Sequence, residues 1–261
     1  MQLPPNKNVY FLSDFHLGAP NAVASLQRER LIVQFLDSVK TGAHTIFLVG
    51  DMFDFWFEYR KVVPKGYVRL LGKLAELSDN GVQLHFFVGN HDMWVKDYFQ
   101  KELNIPVYFQ PTVFTFNGIS FYIGHGDGLG PGDHGYKALK KVFRHPVCQW
   151  LFSVFPPALG IGLADYFSVK SRGGEKHREE KFLGEEKEWL LIYSKEVLQK
   201  ERHNFFVFGH RHLPIDYRLS TEARYINLGE WINFQTYAVF DGSDLVLKSF
   251  TGKEDKIVKK G

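Results

Sequence analysis

The chain has 261 residues, of which 44% are hydrophobic, 16% aromatic and 23% charged, and its formal net charge at pH 7 is +3. This length can bury a large core, and so small a charge argues against the dense basic face typical of nucleic-acid binding. The single cysteine, Cys148, excludes a disulfide framework within the chain. Because the first residues also lack the pattern of a secretory signal, we expect a cytoplasmic protein without a nucleic-acid partner.

Five short apolar segments, rich in Val, Ile and Phe, have the length of buried strands, and polar residues follow each of them at once. The segments and the residues that follow them are "NVYFLS" with Asp14 and His16, "HTIFLVG" with Asp51 and Asp54, "VQLHFFVG" with Asn90, His91 and Asp92, "ISFYIG" with His125 and Asp127, and "NFFVFG" with His210 and His212. Because ligands of open α/β sheets bind beyond the carboxyl ends of the strands, we expect these side chains to meet at one rim.

Three stretches between the strands have apolar residues at helical spacing, near 21–40, 66–79 and 185–202. Two hairpins interrupt the alternation, one around Asn117-Gly118 and one within "YAVFDGSDLVLKSF". The pattern predicts an α/β fold with a mixed sheet system, helices outside it, and a single domain over residues 1–261. We expect the charged C-terminal stretch, "TGKEDKIVKKG", to be frayed.

The rim residues have the chemistry of a metal site. Imidazole nitrogen and carboxylate oxygen together favour Mn, Fe, Zn or Co over Ca or Mg, and the lack of thiolate ligands argues against a structural zinc site. The candidates exceed one tetrahedral shell, so we expect two ions that share a carboxylate, an arrangement suited to phosphoryl transfer. A lone buried histidine is usually an ordinary hydrogen-bonded residue, and we interpret the remaining ones in this way: His44, His85, His134, His145, His177 and His203.

The motifs "DFH", "GDMFD", "GNHD", "GHGD" and "GHRH" resemble, in order and spacing, the signatures of the calcineurin-like metallophosphoesterases. The resemblance implies a four-layer αββα sandwich, in which two mixed sheets are flanked by helices, and a metal-dependent hydrolase in which activated water attacks phosphorus. It also implies two metal ions with one shared ligand. One ion would be held by Asp14, His16, Asp51 and His212, and the other by Asp51, Asn90, His125 and His210.

The same resemblance implies supporting roles for four further residues. His91 would contact the phosphate and support the leaving group, and Asp92 would orient His91. Asp54 and Asp127 would support the ligands without binding metal. Purple acid phosphatases have a similar layout but place a tyrosine, which favours ferric iron, where this chain has Asp54. We therefore expect two Mn²⁺ per chain, with Zn²⁺ or Fe²⁺ as alternatives.

One segment does not fit the pattern of a plain hydrolase. Residues 146–167 contain a single charged residue, Asp165, between flanks that carry Lys137, Lys140, Lys141, Arg144, Lys170 and Arg172. Three interpretations are open: a transmembrane helix, which Pro156-Pro157 would break; an apolar helical pair that covers the core; or a lid of two short amphipathic helices that binds an acyl chain and touches an anionic membrane surface. The charged run 171–188 is interpreted as a solvated loop and helix start, with a mobile flap over a ligand as the alternative.

The sequence from "HGDGLG" to "FRHP" resembles the UDP-2,3-diacylglucosamine pyrophosphohydrolases of the lipid A pathway. The matching residues are His125, Asp127, Leu129, Asp133, Gly135, Tyr136 and Pro146, with Phe143 and Arg144 nearby. The resemblance implies Mn²⁺-dependent cleavage of UDP-2,3-diacylglucosamine to UMP and 2,3-diacylglucosamine 1-phosphate. It also implies peripheral association with the cytoplasmic face of the inner membrane.

The resemblance further implies a helical lid, which we place at residues 135–172. We expect substrate contacts from Asn90, Asp133, Tyr136, Lys170, Arg172, Trp150 and Phe152. One position departs from that family, because His91 stands where its better-known members have Arg. Two other hypotheses stay open: a generic Mn²⁺-dependent phosphodiesterase or phosphatase acting on another phosphoester or nucleotide, and a metal-free scaffold, against which the filled ligand positions argue.

Overall fold

The computed structural model describes residues 1–132, 134–157, 159–160, 162 and 181–260. Within these residues the strands are β1 (Asn8–Leu12), β2 (Ala43–Val49), β3 (Gln83–Phe87), β4 (Val107–Tyr108), β5 (Thr112–Phe116), β6 (Ile119–Ile123), β7 (Phe205–Phe208), β8 (Pro214–Arg218), β9 (Arg224–Leu228), β10 (Thr236–Phe240), β11 (Leu245–Ser249) and β12 (Val258–Lys260). The helices are α1 (Ala22–Val39), α2 (Val68–Asp79), α3 (Tyr98–Leu103), α4 (His134–Phe143), α5 (Pro146–Val154) and α6 (Trp189–Leu198).

The strands form two mixed sheets of six. The first has the order β11-β10-β1-β2-β3-β4, in which β1 to β4 run parallel and β10 is antiparallel to β1. The second has the order β12-β8-β9-β7-β6-β5, in which β7 runs parallel to both β6 and β9. Helices pack on the outer faces, so the predicted α/β fold with two mixed sheets flanked by helices is confirmed.

The two sheets face each other across a core rich in phenylalanine. Phe11 of β1 stacks on Phe47 of β2 at 5.1 Å between ring centroids, and on Phe121 of the second sheet at 5.6 Å. On the opposite face of β1, Tyr10 and Leu12 belong to a separate cluster under the helices. Alternate residues of one strand thus serve two cores, because successive side chains point to opposite faces. This double burial explains why the central strands are continuous apolar segments.

Local signals account for the other elements. Asn21 caps helix α1, since its Oδ1 accepts a hydrogen bond from the backbone N–H of Ala24 at 3.0 Å. The β5–β6 hairpin turns at Asn117 and Gly118, whose φ angles of 51° and 81° are the left-handed pair that a tight two-residue turn requires. The three predicted helices correspond to α1, α2 and α6, and both predicted hairpins are present.

The prediction that the C-terminal stretch is frayed is wrong. β12 pairs in parallel with β8 at the edge of the second sheet, and Ile257 joins the core between the sheets. A sheet edge offers unpaired backbone groups that a further strand can satisfy. The charged side chains of Lys259 and Lys260 are exposed and do not oppose this pairing, so local charge was a misleading signal.

Two short helices, α4 and α5, follow the fourth motif. They meet at His145, whose Nδ1 accepts a hydrogen bond from Val147 N–H at 3.3 Å and caps α5. Helix α5 ends at Val154, just before Pro156-Pro157, and neither helix contains a buried residue. Among the described residues, no helix combines the length and apolar character needed to cross a membrane. The assignment of residues 135–172 as a lid stays a prediction.

Candidate metal centre

The predicted ligands lie just beyond the ends of five central strands, β1, β2, β3, β6 and β7. Five of these ligands have φ angles in the left-handed region, between 45° and 64°: Asp14, His16, Asp51, His210 and His212. Such angles strain residues other than glycine and are concentrated at functional sites. Tight turns directly after the strands aim these side chains at one rim, as the motif spacing predicted.

Asp14, His16, Asp51 and His212 form the first group of ligands. The Nε2 atoms of His16 and His212 are 3.0 Å apart, and Asp14 Oδ1 lies 3.2 Å from His212 Nε2 and 3.6 Å from His16 Nε2. Asp51 Oδ2 is 4.0 Å from His16 Nε2. All four donor atoms therefore converge on a volume of the size of one cation.

Asp51, His125 and His210 form the second group. The distance from Asp51 Oδ2 to His125 Nε2 is 3.3 Å, and Asn90 Oδ1 lies 3.2 Å from the same nitrogen. Asp51 thus belongs to both groups, which is the position that a shared carboxylate between two ions must occupy. The rim brings together all seven predicted metal ligands.

Unpaired buried atoms test whether these residues fit metal. Asp14 Oδ1, His16 Nδ1 and Asp51 Oδ2 are buried without a hydrogen-bond partner in the described part of the chain. Buried polar atoms are nearly always satisfied, because leaving them unpaired costs free energy. Two of these atoms are carboxylate oxygens within 4.0 Å of imidazole Nε2 atoms, and divalent cations would satisfy both types of donor at once. The residues present therefore fit a pair of metal ions.

Two glycines, which have no side chain, provide space that the predicted ligands occupy. A Cβ at Gly89 would overlap the carboxylate of Asp51, and a Cβ at Gly209 would overlap Ser13 Oγ and Asp14 Oδ2. The loops after β3 and β7 can approach the ligands only because these positions lack a side chain. The glycine before each of these two polar clusters is thus a steric requirement of the rim.

Backbone contacts fix the orientation of two imidazoles. His125 Nδ1 lies 2.9 Å from the carbonyl oxygen of Val49, and His91 Nδ1 lies 2.9 Å from that of Asp54. Since a carbonyl only accepts, each Nδ1 carries the proton and donates, which leaves Nε2 directed away from the backbone. For His125 that Nε2 faces Asp51.

Asp92 has a different set of contacts from the expected one. Its two oxygens accept hydrogen bonds from Met52 N–H at 2.8 Å and Gly89 N–H at 2.7 Å, while His91 is held by the Asp54 carbonyl. Asp92 therefore ties together the loops that carry Asp51 and Asn90, and it does not act directly on His91. The side chain of Asp54 supports two rings, because its Oδ1 lies 3.8 Å from His16 Nδ1 and 3.7 Å from His91 Nδ1.

The charges of the rim shift neighbouring pKa values in opposite directions. Burial would lower the pKa of His125, but the negative charge of Asp51 outweighs it and raises that pKa to about 10. Burial, together with the charge of His125, lowers the pKa of His210 to about 4. Burial and the charge of Asp51 raise the pKa of Asp92 to about 7. Opposed shifts within one cluster are typical of a functional site.

Comparison with known proteins agrees with this geometry. The family model described as calcineurin-like phosphoesterase matches residues 7–230. The chain belongs to this family. The predicted class of enzyme, a metal-dependent phosphoesterase, is thereby confirmed.

Several relatives of this phosphoesterase are named UDP-2,3-diacylglucosamine hydrolase. The protein of that name from Porphyromonas gingivalis is 40% identical over 260 residues, which cover 94% of this chain and 98% of the relative. The one from Aeromonas hydrophila is 28% identical over 226 residues, covering 85% and 89%. A solved structure, a dimetal phosphatase from Danio rerio, shares 14% identity over 94% of this chain and 96% of that chain, with a TM-score of 0.44.

Sequence reasoning missed a buried arginine behind the metal ligands of the phosphoesterase. Arg28 of α1 donates hydrogen bonds to the carbonyl oxygens of Phe15 at 2.6 Å, His16 at 2.6 Å and Ala19 at 2.5 Å. It thereby holds the loop whose residues Asp14 and His16 have strained φ angles. In the sequence Arg28 looks like one of several charged residues on an amphipathic helix, and no local signal marks it.

A second missed residue lies inside a motif. Arg211, between two predicted ligands, forms a buried two-point ion pair with Glu188, with Nε–Oε2 at 2.9 Å and Nη2–Oε1 at 3.1 Å. Glu188 Oε1 also accepts a hydrogen bond from Leu183 N–H at 2.9 Å. The pair connects the metal-bearing loop after β7 to the segment in front of α6. The charged Arg211 inside the motif "GHRH" is the sequence signal that could have indicated such a partner.

Asp127 and Tyr136 connect the rim to helix α4. The hydroxyl of Tyr136 donates to Asp127 Oδ2 at 2.8 Å, and Lys140 Nζ lies 2.5 Å from the same oxygen. Tyr136, predicted to contact substrate, is therefore placed beside the rim, with Lys140 as an additional cation. Asp127 therefore connects α4 to the loop that carries His125.

The two predicted substrate contacts on α5 face opposite ways. The Phe152 ring packs against Phe57 and Trp94, both at 4.7 Å between ring centroids, whereas Trp150 is 63% exposed. Phe55 lies at the edge of the same aromatic group, 6.1 Å from Phe152. Asp133, Lys170 and Arg172 lie outside the described residues, as does His177.

Proposed function

We propose that the protein hydrolyses the pyrophosphate bond of UDP-2,3-diacylglucosamine to UMP and 2,3-diacylglucosamine 1-phosphate in lipid A biosynthesis. The observation that carries the chemistry is the pair of ligand groups that share Asp51. The 40% identity to a relative of that named activity, over nearly the full length of both chains, supports the substrate. The resemblance seen from "HGDGLG" to "FRHP" agrees with it.

The rim residues would hold two Mn²⁺, with Zn²⁺ or Fe²⁺ as alternatives. One ion is assigned to Asp14, His16, Asp51 and His212, and the other to Asp51, Asn90, His125 and His210. Two bound cations lower the pKa of water and stabilise the charge on the phosphoryl oxygens. Asp51 is assigned the shared position because its Oδ2 faces both groups.

His91 is assigned to the leaving phosphate. Its Nδ1 donates to the Asp54 carbonyl at 2.9 Å, which fixes the ring with Nε2 directed away from the backbone. The carboxylate of Asp54 lies 3.7 Å from the same Nδ1. The imidazole of His91 is therefore assigned the position that an arginine occupies in the better-known members of the resembled family. Asn90 is assigned a further contact to the phosphate.

Residues 135–172 are proposed to form a lid that recognises the acyl chains. Phe152 packs into an aromatic group made of Phe55, Phe57 and Trp94, beside the residue Asp54 of the rim. An apolar surface at this place would stabilise bound acyl groups by about 0.8 kcal/mol for each buried CH₂. Tyr136 is assigned to the sugar phosphate because its hydroxyl lies beside Asp127 at the rim.

The outer face of helix α5 is proposed to touch the cytoplasmic face of the inner membrane. Val147, Trp150, Leu151 and Val154 recur at helical spacing and are each more than half exposed. Lys141 is exposed on the preceding helix and would face anionic headgroups. Trp150→Asp should reduce co-sedimentation with anionic vesicles, while Val23→Asp on α1 should not. Equal binding of both variants would contradict this assignment.

The substrate is tested with purified protein, Mn²⁺ and UDP-2,3-diacylglucosamine in detergent. We expect release of UMP, and much weaker turnover of the analogue that lacks both acyl chains. If the protein instead cleaves the deacylated analogue or a chromogenic phosphodiester equally well, it is a general phosphodiesterase and the lipid assignment fails. Absence of any turnover with saturating Mn²⁺, together with absence of bound metal, would favour a scaffold.

A further inference from the structure

A cavity lies beside the metal rim, and Phe55 belongs both to its lining and to the aromatic group around Phe152. Its volume is about 740 Å³, and it is enclosed by the start of α1, the start of α2 and the loop at residues 54–55. Asp54, which lines it, is 3.8 Å from the metal-ligand histidine His16. The cavity therefore lies next to the rim and is much larger than one phosphate group.

The walls of the cavity are held in place by their own hydrogen bonds. Ser25 Oγ accepts from Gly18 N–H at 2.8 Å, and Glu29 Oε1 accepts from the N–H groups of Arg69 and Leu70 at 2.9 and 3.1 Å. A Cβ at Gly18 would lie 2.9 Å from the Tyr67 hydroxyl oxygen, so no side chain can fill the wall there. These hydrogen bonds fix the first turns of α1 and α2 on the two sides of the cavity.

The lining combines three kinds of contact. Tyr67 and Phe55 provide aromatic surfaces, Asn21 provides a side-chain amide, and Lys65 and Arg69 are exposed cations. Among the described residues neither cation has an ion-pair partner. Aromatic surface, hydrogen-bonding groups and cations at one opening suit a nucleoside attached to a phosphate, because bases stack on aromatic rings and phosphates attract cations.

Phe55 divides two environments that meet at the rim. On one side it faces Trp94 and Phe152, at 5.9 and 6.1 Å between ring centroids, and on the other it lines the cavity. A substrate with a polar part on one side of the hydrolysed bond and an apolar part on the other side would therefore extend in two directions from Asp54. We propose that this cavity is the binding site for the nucleoside of the substrate, so that the reacting phosphate lies at the metals. The inference rests on the proposed function.

The experiment blocks the cavity without disturbing the metal ligands. Ala22 lines it at the first position of α1, whereas the adjacent Val23 is 70% exposed and does not line it. Ala22→Trp should fill the space, and Val23→Trp is the matched control. Binding of UMP, inorganic phosphate and glucosamine 1-phosphate to each Mn²⁺-loaded protein is measured by calorimetry, without turnover.

We expect wild type and Val23→Trp to bind UMP roughly tenfold more tightly than inorganic phosphate, and Ala22→Trp to lose that gain. Arg69→Gln should weaken UMP binding by roughly threefold, compared with Arg30→Gln, an exposed arginine of α1 outside the cavity.

Each of three results overturns the inference. In the first, wild type binds UMP and inorganic phosphate with equal affinity; in the second, Ala22→Trp and Val23→Trp lose the same amount of affinity for UMP. In the third, wild type binds glucosamine 1-phosphate more tightly than phosphate, and Ala22→Trp removes this difference but not the one for UMP. Turnover of UDP-2,3-diacylglucosamine by wild type is scored separately. A protein that cleaves this lipid but shows one of these results keeps the proposed function and loses the nucleoside site. A protein that binds UMP as expected but does not cleave the lipid keeps the nucleoside site and loses the proposed function.

Discussion

The loops of the metal rim stand on strands that are buried on both faces, whereas helices α4 and α5 contain no buried residue. Rim residues such as Asp14 and Asp51 are at most 1% exposed and are held by backbone amides of neighbouring loops. In the described part of the chain, the two helices contact the body through groups that include the side chains of Phe152, Tyr136 and Lys140 and the carbonyl group of Phe143. Reactive groups need fixed geometry, while groups that admit a large lipid need surface that can move.

The largest effect should come from removing the charge shared by both ligand groups. Asp51→Asn keeps the shape of the side chain but lowers the attraction for two cations, so turnover should fall by at least roughly 10²–10³-fold. Metal content after dialysis should fall below two ions per chain. Asp79→Asn, at the exposed end of α2, is the control. Full metal content in Asp51→Asn would contradict the shared position.

Arg28 tests whether the rim depends on buried support. Arg28→Met leaves the carbonyl oxygens of Phe15, His16 and Ala19 without their donor, which should lower the free energy of unfolding by about 2–4 kcal/mol. Mn²⁺ affinity should fall by roughly 10–100-fold, as for other residues that orient ligands. Arg30→Met on the exposed face of α1 should change neither quantity. A destabilised variant with unchanged Mn²⁺ affinity would limit Arg28 to a role in folding.

Phe152 tests the contribution of the proposed lid. Phe152→Ala removes the ring that packs on Phe57 and Trp94, so the KM for the diacylated substrate should rise by roughly tenfold, with metal content unchanged. Leu151→Ala, at an exposed neighbouring position, is the matched control. If both substrates, with and without acyl chains, respond equally to Phe152→Ala, the helix supports the rim and does not read acyl chains.

The smallest effect concerns His85, inside the sandwich and far along the chain from the lid. Its ring stacks on Phe47 at 4.9 Å, and burial lowers its pKa to about 4 from the ordinary 6.5. The folded state thus favours neutral His85, so its stabilising contribution is full above pH 6.5 and is lost as the pH falls towards about 4. His85→Gln should reduce the acid sensitivity of urea unfolding measured without metal. His134→Gln on exposed α4 should not, and equal slopes for wild type and His85→Gln would contradict the prediction.

Most of the rim was predictable because its signals are local. A buried strand is a continuous apolar segment, and the residues that follow it are the ones the sheet edge presents, so Asp51 and His125 could be identified from the sequence. Arg28 and Glu188 could not, because the carbonyl groups that Arg28 contacts lie 9 to 13 residues away and Arg211 lies 23 residues from Glu188, and nothing near them in sequence marks the contact. The pairing of β12 with β8 was missed for the same reason.

The sequence by itself determined the class of fold and the group of candidate residues at the rim, since both depend on residue types at short, regular spacings. The tertiary structure alone decided that Asp92 contacts backbone amides while His91 contacts the Asp54 carbonyl. It also decided that Phe152 faces the body while Trp150 faces outwards. These contacts join strands and helices that are far apart in the chain. The distances between them are set only when the two sheets and their helices pack together.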